Sequence, residues 1–450
     1  MAQKKTTFIC QNCGSSHNQW MGQCSRCDHW NTIVEEKLRV SSKKTFAASS
    51  DHSAPRPIKE ISLQETPRIA LAEPELNRVT GGGLVPGSVI LLGGEPGIGK
   101  STLMLQLSMG FPKGPVLYVS GEESLEQVKL RADRISTGSA EVLLLPETDV
   151  ELIADQLKKN RPGLCVVDSV QTLFSPELES APGTVSQIRE SAHRLIQIAK
   201  QLGVPVILIG HITKEGQLAG PKVLEHMVDV VLQFEGDRQH MYRLLRAQKN
   251  RFGSTSELGI YEMQGSGLHP VSDPSQIFTR PRDESLSGVG IGIGMEGARP
   301  LLIETQALVS TAVYGTPQRS TTGFDSRRLN MLLAVLEKRC GFHLGSRDVF
   351  LNIAGGLRVD DPALDLAVCS SVLSSSGDLP ISLDVAFCSE VGLGGELRPV
   401  SRLDQRLMEA SKMGFTEVVV SARSKLENPP KGLKLHTLKR VDEVAQLLFG

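Results

Sequence analysis

The sequence predicts an α/β protein in three parts: a small metal knuckle over residues 1–30, a mainly parallel sheet domain over 67–273 and a second α/β domain over 286–450. Three observations predict it. Two Cys-x-x-Cys pairs stand within the first 27 residues. From residue 67 short apolar runs alternate with stretches of helical length and period, the pattern of a doubly wound sheet. A polar segment with prolines at 270, 274 and 281 then precedes further apolar runs at 298–308, 329–340, 349–353, 363–374 and 417–421. A chain of 450 residues has room for two or three domains. Its 49 Lys and Arg against 50 Asp and Glu leave a net charge of −1, so any surface for polyanions must be local. No apolar run reaches the roughly 18 residues that cross a bilayer. The first residues, Met1-Ala-Gln-Lys-Lys-Thr-Thr-Phe8, carry no signal-peptide core. A cytoplasmic protein without membrane contact is the expectation.

The knuckle pairs are Cys10-Gln-Asn-Cys13 and Cys24-Ser-Arg-Cys27. Each pair turns two thiolates toward one point, and two pairs complete a tetrahedral four-cysteine zinc site with no open position for catalysis. A redox dithiol is the weaker reading. Trp20 and Trp30 are the only tryptophans of the chain. At least one of them is expected to cover the metal site, the alternative being a contact with a partner protein or DNA. Residues 31–66 are rich in Ser, Lys, Pro and Ala without apolar periodicity, and read as a flexible linker.

In the sheet domain, an apolar run at 89–92 leads into Gly94-Glu95-Pro96-Gly97-Ile98-Gly99-Lys100-Ser101, followed by Thr102 and a helical stretch. This fits Gly-x-x-x-x-Gly-Lys-Ser/Thr at every fixed position, between the strand and helix it requires. Glycines let backbone N–H groups turn around a phosphate, and the helix N-terminus adds partial positive charge. Lys100 is assigned to the β- and γ-phosphates of ATP and the Ser101 hydroxyl to Mg²⁺. Further strands are expected at 116–120, 142–145, 164–168 and 204–210, and helices at 124–135, 150–159 and 185–201. Leu164-Cys-Val-Val-Asp168 delivers a carboxylate to the same Mg²⁺. Leu117-Tyr-Val-Ser-Gly-Glu122-Glu123 ends a strand in two acids, of which Glu122 is the candidate base for orienting water and Glu123 the reserve. A base at this place, rather than beside Asp168, points to the RecA-like branch of P-loop proteins. His211 and Thr213, where another strand ends, are candidate γ-phosphate sensors. Residues 175–183 and 215–222 read as mobile loops on one side of the sheet, and the resemblance to RecA-like rings implies that such loops grip single-stranded DNA.

The next motif, Lys249-Asn-Arg251-Phe-Gly253, joins the phosphate loop, Ser120-Gly-Glu-Glu-Ser124 and the four-cysteine knuckle in a combination that closely resembles the bacterial RadA (Sms) family along essentially the whole chain. The resemblance implies a homo-oligomeric ring, a hexamer, with ATP between subunits and Lys249 and Arg251 acting on the neighbour's nucleotide, as an arginine finger does. It also implies a DNA-dependent ATPase of homologous recombination and repair. Such an enzyme binds single-stranded and branched DNA and drives branch migration with the RecA recombinase. The alternative is a nucleotide-switched ring ATPase acting on protein partners without DNA translocation.

The third part resembles the proteolytic domain of Lon proteases. Gly355-Gly-Leu-Arg-Val-Asp-Asp-Pro-Ala363-Leu-Asp365 lies where that family carries its nucleophilic Ser, here Ala363. Val391-Gly-Leu-Gly-Gly-Glu-Leu-Arg-Pro-Val-Ser-Arg-Leu-Asp404 lies where it carries its Lys, here Asp404. A Ser–Lys dyad needs both, so the domain is expected to be proteolytically inactive. Arg319, Arg327, Arg328, Arg347, Arg358, Arg398, Arg402 and Arg406 are candidate contacts for DNA phosphates, the alternative being a salt-bridged surface.

Overall fold

The computed structural model describes residues 5–11, 14–38, 67–135, 138, 140–211, 223–236, 242–276, 278–279, 284–312 and 317–450. The chain forms two compact units, Met1–Pro270 and Val271–Gly450.

The first unit begins with a zinc-ribbon sheet of β1 (Lys5–Cys10), β2 (Ser16–His17) and β3 (Ile33–Leu38), ordered β2-β1-β3 and antiparallel throughout. Pairing of β3 with β1 runs from Cys10↔Ile33 to Lys5↔Leu38. The ordered ribbon therefore extends beyond residue 30, where sequence places the start of the linker; residues 39–66 lie outside the described residues.

The core follows as α1 (Pro74–Val79), β4 (Val89–Gly94), α2 (Lys100–Met109), β5 (Val116–Ser120), α3 (Leu125–Ile135), β6 (Val142–Leu145), α4 (Val150–Asn160), β7 (Leu164–Asp168), α5 (Val185–Leu202), β8 (Val206–His211), α6 (Val223–Met227), β9 (Val230–Glu235), β10 (Tyr242–Asn250), β11 (Leu258–Gln264) and β12 (Gly267–Pro270). The sheet order is β12-β11-β10-β9-β4-β8-β7-β5-β6. Its six strands from β9 to β6 are parallel, and β9 to β12 continue as an antiparallel meander. Alternation explains why β4 is apolar at every early position. Ile90 and Leu92 enter one core with Met104, Tyr118 and Ile207, while Val89 and Leu91 enter the other with Ile153, Val167 and Leu195. A strand covered on both faces has no polar side to show.

The second unit carries β13 (Val289–Glu296), β14 (Arg299–Thr311), β15 (Arg319–Thr322), α7 (Ser326–Cys340), β16 (Arg347–Ile353), α8 (Asp365–Gly377), β17 (Val385–Cys388), β18 (Glu390–Val391), β19 (Leu397–Arg398), α9 (Leu403–Lys412), β20 (Glu417–Ser421), β21 (Lys434–Leu438) and α10 (Val441–Phe449). Seven strands form one mixed sheet, β15-β16-β14-β13-β17-β20-β21. The run Gly290-Ile-Gly-Ile-Gly294 explains how α8 seats on it. A Cβ at Gly292 would lie 2.2 Å from Leu364, and one at Gly290 2.7 Å from the Ser371 hydroxyl. Glycine on this face lets the buried helix approach the strand.

Three arginines proposed for DNA are committed to this fold. Arg406 is 2% exposed; its guanidinium donates to Asp361 Oδ2 at 2.6 Å and to the Ile293 carbonyl at 2.7 Å. Arg328 forms a two-pronged pair with the fully buried Asp365 at 2.5 Å. Arg398 pairs with Glu396 at 2.6 Å. The buried Arg406 is held in place by its counter-charge and cannot reach a ligand, while Arg328 and Arg398 stay part-exposed with their guanidinium groups paired to acids. Ala363 is fully buried and offers only a methyl group, while Asp404 accepts from the Asn428 amide at 3.3 Å. Neither position supplies a nucleophile or a base amine.

Candidate nucleotide site

Strand register assembles the site. Gly94 stands opposite His211, Asp168 opposite Ile209, and Ser120 opposite Asp168. The carboxyl ends of β4, β8, β7 and β5 thus bring the phosphate loop, His211, Asp168 and the Glu122 turn to one edge, where doubly wound sheets bind ligands.

The loop's glycines answer separate demands. A Cβ at Gly94 would lie 2.6 Å from the Phe234 carbonyl, and one at Gly99 2.6 Å from Met263 Cε. Gly97 has φ +79° with open space where a Cβ would stand. Its side of the loop is a cradle. Gly99 enters α2 without a side-chain cap, so the first N–H groups of the helix are left for an anion. Ile98 is buried beneath the loop, and Arg243 Nε donates to its carbonyl at 3.2 Å. Glu95 and Pro96 are exposed, and Thr102 is half-buried.

Lys100 is 4% exposed, and its ammonium donates to the Gly94 and Glu95 carbonyls at 2.7 and 2.9 Å and to His211 Nδ1 at 3.2 Å. Burial pulls its pKa down to about 8 against the opposing charges of Asp168, Glu122 and Glu95. Burial likewise raises the Asp168 carboxyl, opposed by hydrogen bonds from Ser101 and Tyr118. The Tyr118 hydroxyl donates to Asp168 Oδ2 at 2.9 Å. These groups fit Mg²⁺ and a triphosphate: a buried ammonium, an open glycine cradle, and a hydroxyl paired with a carboxylate.

Glu122 and Glu123 part company in the structure. Glu122 Oε1 accepts from the Ser169 hydroxyl at 2.5 Å and lies 3.3 Å from His211 Nε2. His211 thereby bridges Lys100 and Glu122. Glu123 is turned away into a salt bridge with Arg131. Thr213 and the 215–222 loop lie outside the described residues.

Lys249 and Arg251 are not brought to this edge. Lys249 pairs with Val231 and Asn250 with Val230, which in turn lie beside Leu91 and Ile90. They sit level with the start of β4, about 10–16 Å back from Gly94 along the strand direction and two strands across the sheet. Lys249 Nζ donates to the Glu225 and Val228 carbonyls, each at 2.8 Å, and Arg251 pairs with Asp229 at 3.2 Å.

Tyr118, Ser169 and Arg243 are the residues that sequence reasoning missed. Tyr118 leaves a trace, as a hydroxyl within an otherwise aliphatic strand interior. Arg243 leaves none, because its partner Ile98 is 145 residues away.

In the ribbon, the Cys10, Cys24 and Cys27 sulfurs lie within 4.8 Å of one another. Burial raises the Cys24 thiol, but hydrogen bonds from Ser15, the Arg26 and Cys27 amides and His17 outweigh it and bring it down to about 5. That is the thiolate a zinc ion needs. Cys13 lies outside the described residues.

A phosphate loop, a buried-strand carboxylate and a second strand-end carboxylate on a RecA-like sheet define a P-loop ATPase domain. A model of the AAA domain matches residues 54–217, one of the rubredoxin metal binding domain residues 8–35, and one of subunit ChlI of Mg-chelatase residues 304–424. DNA repair protein RadA of Bacillus subtilis is 47% identical, with 100% of both chains covered. Its namesakes from Streptococcus pyogenes serotype M1 and Listeria monocytogenes are 45% and 46% identical, covering 100% and 93% of this chain and 100% and 92% of theirs. The chain belongs to the RadA family. A solved KaiC-like protein from Pyrococcus horikoshii is also similar, at 19% identity and a TM-score of 0.37, over 46% of this chain and 99% of that one.

Proposed function

We propose that this chain is a DNA-dependent ATPase of homologous recombination and DNA repair, which binds single-stranded DNA and drives branch migration of recombination intermediates together with RecA. The relatives' name, DNA repair protein RadA, supports the process. The observation that carries turnover is Glu122, held at the phosphate-loop edge by Ser169 and His211.

In this reading the loop from Gly94 to Thr102 holds ATP, with Lys100 on the β- and γ-phosphates. Ser101 and Asp168 hold Mg²⁺, which supplies charge neutralisation at the phosphates. Glu122 accepts the proton of the attacking water. Tyr118 fixes the rotamer of Asp168 by occupying one carboxylate oxygen. The ribbon cysteines hold structural zinc. Lys249 and Arg251, too far from their own loop to act there, complete the site of the next subunit in a hexameric ring. The test is ATP hydrolysis with and without single-stranded DNA, and unwinding of branched DNA, for wild type and Lys100→Ala. Stimulated hydrolysis and unwinding, both lost in the variant, are expected. A wild-type protein whose hydrolysis ignores single-stranded DNA would instead be a nucleotide-switched ring acting on protein partners.

A further inference from the structure

The two tryptophans of the chain have no place in a core. Trp20 is 60% and Trp30 68% exposed. Among the described residues the ribbon interior is made by Cys10, Cys24 and Ile33, with Phe8, Met21 and Cys27 packed on it, and neither indole belongs to it. The expectation that one tryptophan shields the metal site is corrected accordingly. Both rings flank Gly22, where a Cβ would lie 3.7 Å from Trp30 and 4.0 Å from Trp20.

The turn that carries them is rigid. Gln23 and Trp30 form a bridge, the Asn31 amide donates to the Gly22 carbonyl at 2.7 Å, and Gln23 Nε2 donates to the Asp28 carbonyl at 2.9 Å. Large aromatic side chains kept in water on a fixed turn signal a binding surface.

Charge indicates the partner. Residues 1–50 hold seven Lys and Arg against three Asp and Glu in a chain of net charge −1, so the positive excess belongs to this end. A mainly apolar cleft of about 660 Å³ beside the ribbon, with Ile9, Leu178 and Val185 in its lining, also carries Arg26 and Arg189, with Glu190 as its acid. Exposed flat apolar faces on a ribbon that also carries Arg26 suit a strand with unpaired bases and a phosphate backbone. A duplex keeps its base faces covered.

We propose that Trp20 and Trp30 form a base-stacking platform for single-stranded nucleic acid, whose phosphates run past Arg26 and Arg189. This rests on the DNA-binding reading above and assigns part of that binding to the ribbon.

Because the chain has no other tryptophan, its intrinsic tryptophan fluorescence reports this platform alone. The test titrates the full chain with oligodeoxythymidylate and with an abasic oligonucleotide of equal length, following tryptophan emission and the anisotropy of end-labelled strands. Saturable quenching by the first and none by the second is expected. Trp20→Ala and Trp30→Ala should each weaken binding roughly 5- to 150-fold, with Trp→Phe restoring part of it. Zinc content and basal ATP hydrolysis should stay at wild-type values. If anisotropy reports binding while emission is unchanged, the platform is refuted and the DNA reading stands. If neither signal moves, both fall. Quenching by a protein partner with none by the oligonucleotide would also overturn the proposal.

Discussion

Binding of a triphosphate should draw a proton onto Lys100, and the structure sets how much. In the nucleotide-free fold burial holds this ammonium at about 8 instead of its ordinary 10.5. The unfolded chain therefore binds the proton more tightly between pH 8 and 10.5. Stability of the nucleotide-free protein accordingly rises with pH across that window, and the cost of the buried charge is fully present below it. Phosphate oxygens beside Lys100 restore the charged form. Proton uptake on binding should then be about 0.1 at pH 7, 0.5 at pH 8 and 0.9 at pH 9. The assay is calorimetry of a slowly hydrolysed Mg²⁺–ATP analogue in buffers of different ionisation enthalpy. Lys100→Arg is the control, because a guanidinium stays charged throughout this range. Uptake that does not grow from pH 7 to 9, or that persists in the arginine variant, would refute the reasoning.

Three further outcomes follow from the same contacts. Glu122→Gln should lower kcat about 10²- to 10⁴-fold with the KM for ATP little changed, whereas Glu123→Gln, which loses only the partly exposed pair with Arg131, should retain most activity in the same steady-state assay. Tyr118→Phe removes a buried hydrogen bond to Asp168. It should cost about 1.5–3 kcal/mol in urea unfolding and raise the Mg²⁺ concentration needed for nucleotide binding; unchanged values for both would show that Tyr118 does not position Asp168. Purified protein should contain about one zinc per chain by elemental mass spectrometry, lost in Cys24→Ala, and a metal-free wild type would remove the ribbon's zinc role.

What sequence could reach depended on how local each interaction is. Strands 116–120 and 164–168 were legible to the residue, because a strand buried on both faces must be apolar and must end at its first polar turn; the edge strand 142–145 is half-buried but keeps an unbroken apolar run. The phosphate loop was legible because backbone geometry restricts residue type at each of its fixed positions. The antiparallel meander of β10 to β12 was not foreseen: its strands are half-covered and mixed in polarity, and nothing in a short window shows whether the next strand runs parallel or reverses. Arg406 and Arg328 looked like surface cations because their partners, Asp361 and Asp365, lie 45 and 37 residues away in sequence. The tryptophans misled for a related reason. An indole is most often interior, and only the ribbon's closed core, made by Phe8, Met21 and Ile33, left them outside.

Lys249 and Arg251 stand level with the opposite end of β4 from the loop bearing Lys100, and the proposed function places them in the site of the next subunit. Mixing Lys100→Ala subunits with Arg251→Ala subunits, each inactive alone, tests this directly. In a head-to-tail ring assembled at random from equal amounts, about a quarter of interfaces pair an intact loop with an intact arginine. DNA-stimulated hydrolysis should recover to about that fraction of wild type. No recovery, in rings verified to contain both variants, would place both groups in one subunit and contradict the account.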